Sequence, residues 1–204
     1  MGGYKAKFEF KAPSKGTGAH VTISDTKGFS TEAAVLKDVG FEYHIHVKPV
    51  GPNNDCAATG GHLDPTKKGM AKCNRQKPDE CQEGDLSGKH GNLIPTESGS
   101  LETVTYLDKS LHLDTTDPET TIVGRSVVIH NNGARIACAD ILPAGTSPLS
   151  AANLDSSSMV QNQTQAIQTP ASQPNYGSHL VPTGHIAMMA SGIVAVAATF
   201  VISF

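Results

Sequence analysis

Tryptophan is absent from the 204-residue chain, aromatics make up only 5% of it and apolar residues 38%. Set beside 20 Gly and 12 Pro, this scarcity argues against a helical bundle and for a protein of short strands and turns. No Lys- or Arg-rich run occurs, so nucleic acid is not expected as a partner. Neither the triplet period of collagen, nor heptads, nor a series of long apolar runs is present, which excludes a collagen, a coiled coil and a multi-span membrane protein. No Cys-x-x-Cys pair exists, which weakens a zinc-ribbon or redox-motif reading. Residues 1–15 lack the apolar stretch of a secretory signal, and Ala6 breaks the myristoylation pattern.

What charge there is lies early. All 16 Lys and Arg fall within residues 1–145, and of the 19 acids only Asp155 lies beyond. Three zones follow. Residues 1–145 are the candidate folded domain. Residues 146–185, rich in Ser, Thr, Gln, Asn, Ala and Pro, read as a disordered, solvated stalk. Residues 186–204 form a charge-free apolar run, long enough to cross a bilayer but with no flanking Lys or Arg. After a polar spacer with small residues, such a tail matches a glycolipid-anchor signal, with Asn175 or Gly177 as the attachment site; a tail-anchored helix is the plainer alternative. An anchor of that kind requires export. Because Tyr4 to Phe10 already reads as a first strand, a chain whose start has been truncated is expected. Asn162-Gln163-Thr164 is a glycosylation sequon, usable in an exported chain.

Cys56, Cys73, Cys81 and Cys138 allow three pairings. An even count in an exported chain favours two disulfides. Cys73 with Cys81 would close a short loop. Cys56 with Cys138 would close a long one, stabilising the fold by about 4 kcal/mol on chain-entropy grounds.

Within the first zone, period-2 alternation recurs. Strands are expected over about 4–10, 18–25, 32–38, 41–48, 101–107, 110–114, 121–130 and 134–142, with no convincing helix. Eight short strands suggest an antiparallel sandwich or barrel. Residues 49–100 break the pattern with a long loop holding three cysteines, and loops of that length are usually functional. The sharpest local feature is His44-Ile45-His46. On a strand the two imidazoles share a face, while Phe41, Tyr43, Ile45 and Val47 on the other face turn inward. Two nitrogen ligands on one strand suit a metal. With His62, after Gly60-Gly61, and His130, at the end of a strand, four imidazoles and no thiolate would suit Cu(II), although spacing alone does not join them. His20, His90 and His112 read as surface or loop histidines, and Arg125 as a structural partner for a carboxylate.

Over residues 4–142 the chain resembles the copper–zinc superoxide dismutase family. The matching segments are Tyr43-His44-Ile45-His46, Gly60-Gly61-His62-Leu63-Asp64-Pro65, Glu83-Gly84-Asp85-Leu86-Ser87-Gly88, Gly124-Arg125-Ser126-Val127-Val128-Ile129-His130 and Gly133-Ala134-Arg135-Ile136-Ala137-Cys138. The resemblance implies an eight-stranded antiparallel Greek-key barrel or sandwich. It implies copper ligands at His44, His46, His62 and His130, with His62 in the bridging position, a substrate-guiding arginine at Arg135 and a disulfide between Cys56 and Cys138. It further implies disproportionation of superoxide by one redox-cycling copper, with His62 taking up and returning a proton.

Departures from the pattern are equally specific. Two zinc-histidine positions of the family hold Met70 and Gln82, and of the zinc ligands beyond the bridging histidine only Asp85 remains, so no zinc is expected. Asp85 is then expected to orient ring N–H groups, and Gln82 to meet His62 without carrying a charge. Between His130 and Arg135 only Asn131-Asn132-Gly133-Ala134 intervene, where the family usually has a long charged loop. Both departures resemble the copper-only dismutases of fungi, which are extracellular, glycolipid-anchored proteins of the cell surface and wall. Superoxide and a membrane are thus the expected partners, and a monomer is favoured over the family's dimer. The alternative expectation is a catalytically weak copper-binding or cell-wall structural module.

Overall fold

The computed structural model describes residues 3–31, 39–69, 71–143 and the backbone of 197–203. All of these belong to one unit, residues 1–147 with 195–204. The alternating segments become strands: β1 (Lys5–Lys11), β2 (Ala19–Lys27), β3 (Glu42–His46), β4 (Val104–Asp108), β5 (Ser126–Asn131) and β6 (Ala134–Asp140), followed by β7 (Ala197–Ser203). One sheet runs β4-β2-β1-β7 and the other β3-β5-β6, with every neighbouring pair antiparallel.

Period 2 sets the faces of both sheets. Phe8, Phe10, Val21 and Ile23 from the first sheet meet Tyr43, Ile45, Val127 and Ile129 from the second in one buried core. The register of β3 on β5 puts Tyr43 opposite Ile129 and Ile45 opposite Val127. Glu42, His44, His46, Ser126, Val128 and His130 therefore share the outer face of the second sheet.

Several expectations are corrected. Residues 110–114 make only an isolated bridge, His112 to Thr121, so eight regular strands are not found among the described residues. The strand expected over 32–38 lies outside them, as do Met70, Asn162, Asn175, Gly177 and the stretch 144–196. A five-residue helix, α1 (Leu86–His90), occurs where none was expected; the Asp85 carboxylate caps it by accepting from Gly88 N at 2.8 Å. Val47 is 37% exposed rather than inward-facing, because β3 ends at His46. At the chain end, β7 pairs along the whole of β1, from Lys5 with Ser203 to Lys11 with Ala197. No helix among the described residues is long and apolar enough to cross a membrane.

Two disulfides close the loops. Cys56 joins Cys138 on β6, and Cys73 joins Cys81.

Candidate metal centre

His44 and His46 stand on β3 and His130 on β5, and the β3–β5 register brings them together on the outer face. His62 arrives on a loop. That loop lies along the free edge of β3, with Leu63 N donating to Ile45 O at 2.8 Å and Val47 N to Gly61 O at 3.0 Å. Gly60 takes a positive φ of 77° to make the turn. Gly84 donates to Leu63 O and accepts from Ile45 N, and any side chain there would collide with the Ile45 carbonyl. The alternation of β3 suggests histidines on an open sheet face, but His44, His46 and His130 are buried beneath these loops.

One ligand atom from each of His44, His46, His62 and His130 lies within 4.8 Å of the others. The hydrogen bonds fix which atoms these are. His46 Nδ1–H donates to Gly60 O at 2.8 Å, and His62 Nδ1–H donates to Gln82 Oε1 at 2.9 Å. His130 Nδ1–H points at Gly133 O, 3.4 Å away. Their Nε2 lone pairs are therefore left for the cluster. His44 is reversed. Its Nε2 stands 3.1 Å from Ser87 Oγ and 3.5 Å from Asp85 Oδ1, a carboxylate oxygen that only accepts and so assigns the ring proton to Nε2, and its buried Nδ1 has no hydrogen-bond partner. His46 Nε2 and His130 Nε2 face each other at 3.2 Å. Two lone pairs so close, beside an orphaned third, call for a cation between them. Burial, reinforced by the neighbouring imidazoles, lowers the pKa of His44 to about 2 and that of His46 to about 4, and burial lowers His130 as well. The three rings are neutral at neutral pH, as nitrogen ligands must be. An all-imidazole donor set fits copper.

Arg135 lies beside this cluster, its charge helping to lower His46 and His130. Its guanidinium donates to the carbonyls of Cys56, Ala57 and Gly60 at 2.9, 2.8 and 2.6 Å and to Thr59 Oγ1 at 3.2 Å. The β5–β6 turn is closed by Asn132 and Gly133, with φ of 49° and 80°. Such a pair is the usual two-residue hairpin signal, and it keeps this side of the cluster free of any long loop. On the other side a cavity of about 590 Å³ is lined by His44, His62 and His130, with Lys72, Arg75 and Asp85.

The sequence model of the copper/zinc superoxide dismutase family matches residues 7–148. The chain belongs to the copper/zinc superoxide dismutase family. Among curated relatives, it is 45% identical over 108 residues to cell surface superoxide dismutase [Cu-Zn] 6 of Candida albicans, covering 52% of this chain and 32% of that protein. It is 36% identical over 122 residues to the cell surface Cu-only superoxide dismutase of Arthroderma benhamiae, covering 58% and 32%. The chain thus spans about a third of the length of these two relatives. A solved variant of superoxide dismutase 5 from Candida albicans superposes with a TM-score of 0.53 at 30% identity, covering 73% of this chain and 96% of that one.

Other dismutase-like expectations divide. Gln82 does meet His62, and Asp85 does lie beside His44. Among the described residues no carboxylate accepts a hydrogen bond from Arg125, which donates to the carbonyls of Val47, Pro118, Glu119 and Thr121 and feels the Glu119 charge only through space. His90 is half-buried, bonded to Asp108 and stacked on Tyr106. Sequence reasoning missed Thr59 and Ser87. Thr59 is fully buried, accepts from Arg135 and lies 3.3 Å from His46 Nδ1. Nothing in the local sequence marks Thr59, whereas Ser87 sits inside one of the family segments.

Proposed function

We propose that this chain is a copper-only superoxide dismutase of the fungal cell surface, holding one copper at His44, His46, His62 and His130 and no zinc. The observation that carries the reading is the convergence of four imidazole nitrogens whose other ring atoms are committed elsewhere, leaving lone pairs for a single cation. Bound copper would supply the one-electron redox chemistry by which one superoxide leaves as oxygen and a second, with two protons, as hydrogen peroxide. His62 can take a proton on Nε2 and give it up to the departing product, since its Nδ1–H stays on Gln82. Arg135, always charged and held by four acceptors, keeps a positive charge beside the site to draw in the anion.

The remaining chain completes the reading. Residues 146–185 serve as the stalk, glycosylated at Asn162, and 186–204 as the anchor signal. Attachment at Asn175 or Gly177 would remove β7 with the signal and leave a monomeric domain on the cell wall or membrane.

The test is stopped-flow superoxide consumption by the copper-loaded chain and its Arg135→Ala variant. Rapid second-order decay is expected, slowed roughly tenfold or more in the variant with copper retained. No turnover with copper bound would overturn the reading.

A further inference from the structure

Gln82 is an awkward support for a ligand histidine. A carboxamide can rotate end for end, presenting either its oxygen or its NH2 to the ring. With the oxygen forward, His62 carries its proton on Nδ1 and leaves Nε2 bare. With the NH2 forward, the proton moves to Nε2 and the ring turns its protonated edge on the cluster.

The far end of the carboxamide resolves this. Gln82 Nε2 donates to Asp64 Oδ2 at 3.2 Å. Asp64 is itself pinned, Oδ1 accepting from Lys68 N and Oδ2 from Gly69 N, each at 2.8 Å. An ionised carboxylate only accepts, so it takes the NH2 end and forces the oxygen end onto His62 Nδ1.

We propose that Asp64 is a positioning residue that orients the Gln82 carboxamide, thereby fixes the His62 tautomer, and supplies the single negative charge of the Asp64–Gln82–His62 chain. The charge stands one residue back from the imidazole. It follows that a glutamate at position 82 is incompatible with Asp64, because two carboxylates would then meet at the present 3.2 Å contact. Moving the charge by changing both residues is compatible. The consequence for metal affinity rests on the copper reading above; the tautomer does not.

The experiment is long-range 1H–15N correlation of the histidine rings in the metal-free chain, followed by Cu(II) titration. Four proteins are compared: wild type, Asp64→Asn, Gln82→Glu, and the two substitutions together. The wild type should show His62 as the Nδ1–H tautomer alone. Asp64→Asn should give a mixture of tautomers and weaken Cu(II) binding roughly ten- to a hundredfold. Gln82→Glu, which leaves the Asp64 loop bonds in place, should also weaken binding. The double variant should regain one tautomer and bind better than either single variant, a coupling that a merely structural loop carboxylate would not produce. An Nε2–H tautomer in the wild type would overturn the proposal without any variant, and so would single effects that simply add in the double. If the wild type binds no copper yet shows the expected tautomers, the copper reading fails and the role of Asp64 stands.

Discussion

His46 and His130 lean on backbone, on the carbonyls of Gly60 and Gly133, whereas His44 and His62 lean on side chains, Ser87 and Gln82. The backbone side is also the side of Arg135, whose acceptors are three carbonyls and Thr59 in the segment tied down by Cys56–Cys138. The side-chain side rests on α1 and on the Asp64 loop. Backbone acceptors do not change when a residue does, so the first side tolerates substitution as long as the loop keeps its course. The second is set residue by residue, through Ser87 and Gln82.

The largest expected effect breaks the cluster itself. His44→Ala or His130→Ala, one from each side, should abolish copper binding and activity alike. Full copper content in either variant, measured by metal analysis, would refute the ligand assignment.

Next comes the footing of α1. Lys89 on α1 is buried, its Nζ bonded to Asp108 Oδ2 at 2.7 Å, Ser110 Oγ at 2.6 Å and Glu83 O at 2.8 Å. Removing one partner of a buried pair costs about 3–5 kcal/mol, so Lys89→Met should lower stability by that order in urea denaturation. Burial works to raise the Asp108 pKa, but the His90 hydrogen bond, the Lys89 charge and Ser110 outweigh it and hold the carboxyl well below its usual range. With a depressed pKa the contribution is complete above the unfolded value of about 3.9 and drains away as pH falls through the folded one. The gap between wild type and Lys89→Met should therefore be widest near neutrality and shrink in acid. A gap that is constant down to strongly acid pH would show that the ion pair is not its source.

The smallest effects sharpen the comparison most. Ser87→Ala takes the acceptor from His44 Nε2–H and should weaken Cu(II) binding roughly tenfold. Thr59→Val leaves His46 its bond to Gly60 O and should cost much less. If Thr59→Val proves the more damaging, the backbone side is not self-sufficient.

The strands that carry the site are legible in the sequence, because alternation on β3 and β5 is enforced by a core on one face. Alternation alone places His44, His46 and His130 on such strands, and the family segments add His62, Arg135 and the Cys56–Cys138 pair. Other features depend on contacts that local pattern does not encode. α1 is too short for a 3.6-residue period to emerge, and it contains a glycine, Gly88. Residues 110–114 alternate like a strand, but only His112 finds a bridging partner. Nothing local sets Lys89 apart from other loop lysines, and its burial depends on Asp108, far along the chain on β4. The Asp64–Gln82 contact joins two loops 18 residues apart, and no spacing announces it.

The most direct test of the account is the metal content and Cu(II) electron paramagnetic resonance of the chain after loading with copper and zinc together. The account predicts one copper, no stoichiometric zinc and a tetragonal spectrum with coupling to imidazole nitrogens, lost in His44→Ala. Stoichiometric zinc, or copper in an oxygen-rich environment indifferent to His44, would contradict it.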